Sequence, residues 1–158
     1  MIVLGVDPSF TATGYAIIKK ESGRQFLIAC GILPLPKGKE MHERIGIFHD
    51  FFQKMISQYQ VTHISIETPF LGKNAQTFLK LGYLRGCLYL LTDKNKLKII
   101  EYSPKEIKLA VTGFGGAQKD QVQRVVHMLF PNLAHQKTYD VTDAIAISLC
   151  GVWQQNNI

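Results

Sequence analysis

The sequence predicts an α/β fold in which a mixed five-stranded sheet carries helices on both faces. Three observations predict it. Apolar, β-rich runs at residues 2–7, 15–19 and 26–33 follow one another closely enough to form an antiparallel meander. Two further strand-like runs, 61–67 and 97–102, alternate with long helical periodicities, the pattern of parallel strands joined by crossover helices. No repeat or low-complexity linker interrupts this order, so residues 1–158 read as one domain.

Each element has a local cause. IVLGVD (2–7) is apolar at successive positions, which marks a strand buried on both faces and central in its sheet. The stretch from Pro8 to Gly14 is a turn, Tyr15–Lys19 returns as a second strand, and Phe26–Leu33 forms the third. Pro34, Pro36 and Gly38 mark a loop; Ile45, Phe48, Phe52, Met55 and Tyr59, spaced by three and four, then predict a helix over about 40–59. Val61–Glu67 is a strand ending in an acid, followed by a helix over about 75–91 and a strand at Leu97–Tyr102. Ser103-Pro104-Lys105-Glu106 joins a capping box to a proline at the first helical position, starting a helix that runs to about Val111. After the glycine-rich TGFGGAQ loop come a helix over about 119–130, a polar link from Pro131, and a last helix over about 139–153.

Composition narrows the function. No apolar run approaches bilayer length, and the first seven residues lack a basic signal-peptide region, so a cytosolic address without membrane contact is expected. Cys30, Cys87 and Cys150 are odd in number, far apart and set among apolar neighbours, which predicts buried, reduced thiols rather than disulfides or zinc ligands. Eighteen Lys and Arg against twelve Asp and Glu give a net charge of +6, which favours a polyanionic partner such as nucleic acid.

The minority carboxylates fall at special places. Asp7 ends the first strand, Glu67 ends the fourth, and Asp140 and Asp143 stand at i and i+3 near the start of the last helix. If the first and fourth strands are neighbours, their ends bring Asp7 and Glu67 together, and a helix packed over that end adds the other two. Taken singly, each acid has an ordinary explanation: Asp7 before Pro8 opens a turn, Glu67 faces solvent, Asp140 caps a helix and Asp143 meets its dipole. Jointly, in a basic protein, they predict a carboxylate cluster. Such a cluster needs compensation, and Mg²⁺ or Mn²⁺ supplies it, being hard cations that prefer carboxylate oxygen. Two such ions roughly 3.5–4 Å apart promote in-line phosphodiester displacement.

Supporting residues follow. Phe70, in a Pro-Phe-Leu-Gly loop, is a candidate base-stacking aromatic. Lys73, Lys80, Arg85, Lys105, Lys108, Lys119 and Arg124 cluster after Glu67 as candidate phosphate contacts, with Lys108 and Lys119 foremost. Gly82 and Gly86, one turn apart on a helix, imply close packing against either the sheet or a second subunit. None of His42, His49, His63, His127 and His135 is placed in a metal site.

The blocks Gly5-Val6-Asp7-Pro8 with Thr13-Gly14-Tyr15, Ile66-Glu67 with Phe70 and Lys73-Asn74, and Leu81-Gly82 with Arg85-Gly86 resemble the RuvC family of bacterial junction resolvases. The likeness continues through Lys108 with Ala110–Gly113, Lys119 with Gln121-Val122, and Asp140 with Asp143-Ala144, so it covers nearly the whole chain. The resemblance implies a ribonuclease H-like fold and hydrolysis of four-way DNA junctions in recombination and repair, by symmetric nicks leaving 5′-phosphate and 3′-hydroxyl ends. It implies that Asp7, Glu67, Asp140 and Asp143 are catalytic and hold Mg²⁺ (Mn²⁺ substituting, two ions per site). It further implies DNA contacts from Phe70, Lys73, Lys108 and Lys119, a homodimer, and the branch-migration proteins RuvA and RuvB as partners. Ser9 departs from the family's usual glycine, and Pro69 alters how the loop presents Phe70. Competing readings are an RNA–DNA hybrid hydrolase, a non-catalytic junction-binding module, and an actin-like ATPase, which would need a second domain.

Overall fold

The computed structural model describes residues 1–69, 74–133 and 139–153. Its elements are β1 (Ile2–Asp7), β2 (Ala12–Glu21), β3 (Arg24–Pro34), α1 (Met41–Tyr59), β4 (His63–Glu67), α2 (Ala75–Lys94), β5 (Lys98–Tyr102), α3 (Pro104–Thr112), α4 (Lys119–Leu129), a 3₁₀ turn at Pro131–Leu133, and α5 (Tyr139–Trp153). The sheet order is β3-β2-β1-β4-β5. β1 pairs antiparallel with β2 and parallel with β4; β4 pairs parallel with β5. The adjacency of β1 and β4 is the feature on which the convergence of Asp7 and Glu67 depends.

The β2–β3 hairpin is longer than the apolar pattern suggests. Ser22 and Gly23 both adopt positive φ (49° and 78°), the requirement of a two-residue turn that matches the twist of its strands. The ladder therefore continues past Lys19↔Phe26 through the polar pairs Lys20↔Gln25 and Glu21↔Arg24, which periodicity alone cannot distinguish from a loop.

Alternation along β1 divides the core. Leu4 and Val6 face α1 and α2, meeting Phe48, Phe52, Leu84 and Leu88, all fully buried. Val3 faces the other way, into a cluster built from α3, α4 and α5. Gly5 shares the Val3 face, and there α5 lies against bare backbone: a Cβ on Gly5 would stand 2.5 Å from the Ala144 carbonyl oxygen and 2.6 Å from the Ser148 amide nitrogen. The Ser148 hydroxyl donates to the Val3 carbonyl (3.1 Å), and the Ser65 hydroxyl to that of Ile147 (2.8 Å). These contacts set the direction of α5. Gly151 lies over Val3 and Ser65, Ala144 over Gly5, and Asp140 over Gly14, so the helix runs antiparallel to β1 and β4. Its N-terminus stands above the strands' C-terminal ends.

Helix caps agree with the local sequence. Ser103 and Glu106 form the reciprocal capping box of α3, which Gly113 ends in a left-handed conformation (φ 76°). Gly82 and Gly86 correct one reading: a Cβ at either would meet nothing within 4 Å, so neither packs against the sheet. Cys87 and Cys150 are buried and Cys30 half-buried, all as free thiols. Among the described residues, no helix is long and apolar enough to cross a membrane.

Candidate active site

Asp7 and Glu67 are the last residues of β1 and β4, and the Val6↔Ile66 register sets the two strand ends side by side. Positions 3, 5 and 7 of β1, and 63, 65 and 67 of β4, share the face covered by α5. Both acids therefore open toward the first turn of that helix, where Asp140 and Asp143 lie.

Their charges interact. The Asp7 carboxyl is pushed up to about 7, first by burial and then by Asp143 and Glu67, with Lys119 opposing and Asp140 adding a smaller push. Glu67 is raised as well, by burial and by Asp143, against the ammonium groups of Lys119 and Lys108 and the Arg85 guanidinium. The four acids thus share one electrostatic pocket. Among the described residues, however, no three acids, histidines or cysteines stand close enough to form a ready-made cation cage. Lys119, at the start of α4, reaches in to pair with Asp143 at 3.0 Å; that hydrogen bond holds its ammonium above the ordinary lysine range. These cations offset the carboxylates only in part, since Asp7 and Glu67 both remain raised, and hard oxygen donors in surplus charge suit a divalent cation.

Two openings flank Glu67. One, of about 100 Å³, is lined by Lys108, Lys119 and Asp143 together with Pro104, Ile107 and Ile147. The other, of about 230 Å³, runs between Asp7, Thr68, Pro69 and the α2 residues Phe78, Leu81 and Arg85. The acids are therefore reachable from two sides. Phe70 and Lys73 lie outside the described residues, on the segment entering α2.

The basic residues divide. Lys80, Lys105 and Lys119 are exposed and Lys108 is half-buried, while Arg124 pairs with Asp120 one turn away. Arg85 is a correction. At 7% exposure it is no phosphate contact; it donates to the Glu67 carbonyl and, at 2.7 Å, to the Glu101 carboxylate. Sequence reasoning also missed what Gly14 does: it clears space for the Asp140 backbone, whose carbonyl carbon would lie 2.7 Å from a Cβ there. An arginine amid Leu81, Leu84 and Leu88 was the available signal for the first. His63 is buried at the far end of β4 from Glu67, and Thr62 hydrogen-bonds its ring, so it belongs to the sheet and not to the site.

Comparison with known proteins adds to this geometry. The family model described as Crossover junction endodeoxyribonuclease RuvC matches residues 3–151. A protein of that name from Chlorobium phaeobacteroides is 40% identical over 157 residues, covering 99% of this chain and 84% of the relative. One from Rickettsia bellii is 36% identical over 148 residues, covering 94% of each. Among solved structures, Thermus thermophilus RuvC in complex with a Holliday junction substrate superposes with a TM-score of 0.88 at 18% identity, over 99% of this chain and 96% of that one. At that identity the superposition speaks for the fold alone, and it agrees with the expected mixed five-stranded sheet carrying helices on both faces. On its match to the family model and its identity to these relatives along nearly its whole length, the chain belongs to the RuvC family of crossover junction endodeoxyribonucleases.

Proposed function

We propose that this protein resolves Holliday junctions in recombination and repair, hydrolysing one phosphodiester in each of two strands of like polarity and leaving 5′-phosphate and 3′-hydroxyl ends. The observation that carries the reading is that Asp7 and Glu67, ending β1 and β4, are electrostatically coupled to the acids in the first turn of α5, Asp143 foremost, in a chain of net charge +6. Asp7, Glu67, Asp140 and Asp143 would hold Mg²⁺, with Mn²⁺ substituting and two ions in the site. When bound, the ions supply Lewis-acid stabilisation and an activated water.

The chain's own groups do the rest. Lys108 and Lys119 border the acids and attract the scissile phosphate, a role that gives affinity without sequence preference. Lys73 would extend that contact along the backbone. Phe70, one loop beyond Glu67, stacks on an unpaired base at the crossover. A homodimer suits a two-fold substrate. The outward side of α2 supports one: Leu79, Tyr83 and Leu90 are exposed there, with Gly82 and Gly86 leaving room between them. RuvA and RuvB as partners, and a cytoplasmic setting consistent with three free thiols, complete the reading.

The deciding experiment is incubation with a synthetic four-way junction, with and without divalent metal, beside an RNA–DNA hybrid duplex. Paired nicks in the junction that require Mg²⁺ or Mn²⁺ are expected. Preferential cleavage of the hybrid, or junction binding without metal-dependent cleavage, would overturn the reading. Phe70→Ala should cut the junction roughly 10- to 100-fold more slowly, matching about 1–3 kcal/mol of stacking, with its metal response intact. Wild-type cleavage by that variant would remove the stacking role.

A further inference from the structure

We propose that Arg85 is a positioning residue: it fixes the main chain at Glu67, and so the place of that carboxylate among the acids, while Glu101 holds Arg85 in the required pose. The inference deepens the metal-dependent nuclease reading and rests on it.

β4 ends at Glu67, where the chain leaves the sheet for the loop that leads to α2. On the β5 side the chain there is still held, with Glu67 opposite Tyr102 and the Thr68 amide donating to the Tyr102 carbonyl at 2.8 Å. Arg85 adds a hold on the Glu67 carbonyl itself. Reaching from α2, one guanidinium nitrogen donates to the Glu67 carbonyl. The other donates to Glu101 Oε2 at 2.7 Å and to the Tyr89 hydroxyl at 3.2 Å, and Tyr89 in turn donates to Glu101 Oε1. Glu101 stands on β5 opposite Ile66, the neighbour of Glu67, so two adjacent strands and α2 are pinned at one spot.

The choice of residue is informative. Arg85 is 7% exposed, and an apolar side chain of similar volume would fill its place without the cost of burying a charge. What an apolar residue cannot do is grip a main-chain carbonyl and a carboxylate at once. A planar fork does this with fixed geometry, and a lysine has no equivalent. Both terminal nitrogens of the fork are engaged by protein, which commits the guanidinium to holding the fold in place. Partners standing one contact behind metal-holding groups typically change metal affinity or activity by about 10–100-fold when removed.

Glu101→Ala in the full-length protein tests this, because it loosens Arg85 without touching Glu67. Three quantities are measured: the rise in Tm that Mn²⁺ produces, junction affinity in EDTA, and the Mn²⁺ concentration giving half-maximal cleavage. Expected are unchanged junction affinity, a smaller Mn²⁺-induced rise, and a half-maximal concentration about tenfold higher. Glu101→Gln, which still accepts from Arg85, should recover most of the loss. Should Glu101→Ala fail to fold, Arg85→Lys, which keeps the charge and loses the fork, should show the same two Mn²⁺ defects. Wild-type Mn²⁺ responses in a folded variant would overturn the proposal, as would a lower metal-free Tm with those responses unchanged. A wild-type protein showing neither Mn²⁺ stabilisation nor cleavage would instead overturn the nuclease reading beneath it.

Discussion

Asp7→Asn is expected to abolish junction cleavage while leaving junction binding intact and making the metal-free protein more stable above neutral pH. The catalytic loss should be about 10³-fold or more, since one carboxylate removed from the site withdraws several kcal/mol of metal-borne stabilisation. The gain in stability follows from the folded environment of Asp7, where burial and the charges of Asp143 and Glu67 push the carboxyl from 3.8 to about 7. Between those values the folded chain holds a proton that the unfolded chain has released. Stability from this group is therefore fully present below about pH 3.8 and lost as pH rises through about 7. A shift of that size corresponds to a cost on the order of 4 kcal/mol for keeping the ionised group in place.

Thermal melts at pH 5 and pH 8 in EDTA measure it. The wild type should lose stability between the two, the asparagine variant should lose much less, and Mg²⁺ or Mn²⁺ should return the wild-type loss at pH 8. Parallel pH profiles for the two proteins would mean that the acids do not burden one another. The same charge would then be an incidental strand-end acid, and cleavage by the variant would confirm that outcome. With the expected profiles, the fold would be accepting an electrostatic penalty where a neutral residue would serve stability better, and a cation held there would explain why.

Much of this arrangement is legible in the chain. The continuous apolar run of β1 marks a central strand, the three-four spacing from Ile45 to Tyr59 marks α1, and the Ser103–Glu106 box with Pro104 marks the start of α3. What sequence could not supply is contact across the β4–β5 ladder and beneath α5. Arg85 reads as one more cation in a basic stretch until Glu101 is known to sit opposite Ile66, and the Glu67 carbonyl and Glu101 carboxylate that it holds lie 18 and 16 residues away. Gly82 and Gly86 carry no mark of which surface they face. The outer end of the β2–β3 hairpin is polar because it stands clear of both cores, so apolar alternation ends before the strands do. Gly14 reads as a turn residue, and only the path of α5 gives it a different meaning.

That meaning yields the second large effect. Gly14→Ala is expected to cost about 1–3 kcal/mol or more of stability and to slow cleavage by about 100-fold. Gly14 pairs with Asp7 across the β1–β2 ladder, and the added methyl would strike the Asp140 carbonyl group. The atoms on both sides are main chain, so no side chain can rotate to relieve the contact. β2 is locked between β1 and β3, which leaves the first turn of α5 as the part that must move. That turn carries Asp140 and Asp143, so a shift of about 1 Å disperses the acids even where the protein still folds. Gly46→Ala in α1 provides the contrast, because a Cβ there meets nothing within 4 Å and helix propensity alone should add about 0.5–1 kcal/mol. Melting curves and single-turnover cleavage of the two variants separate the effects. A Gly14→Ala protein with wild-type Tm and rate would show that α5 is not seated on bare backbone at Gly14. The first turn of that helix would then owe its place to something other than the sheet.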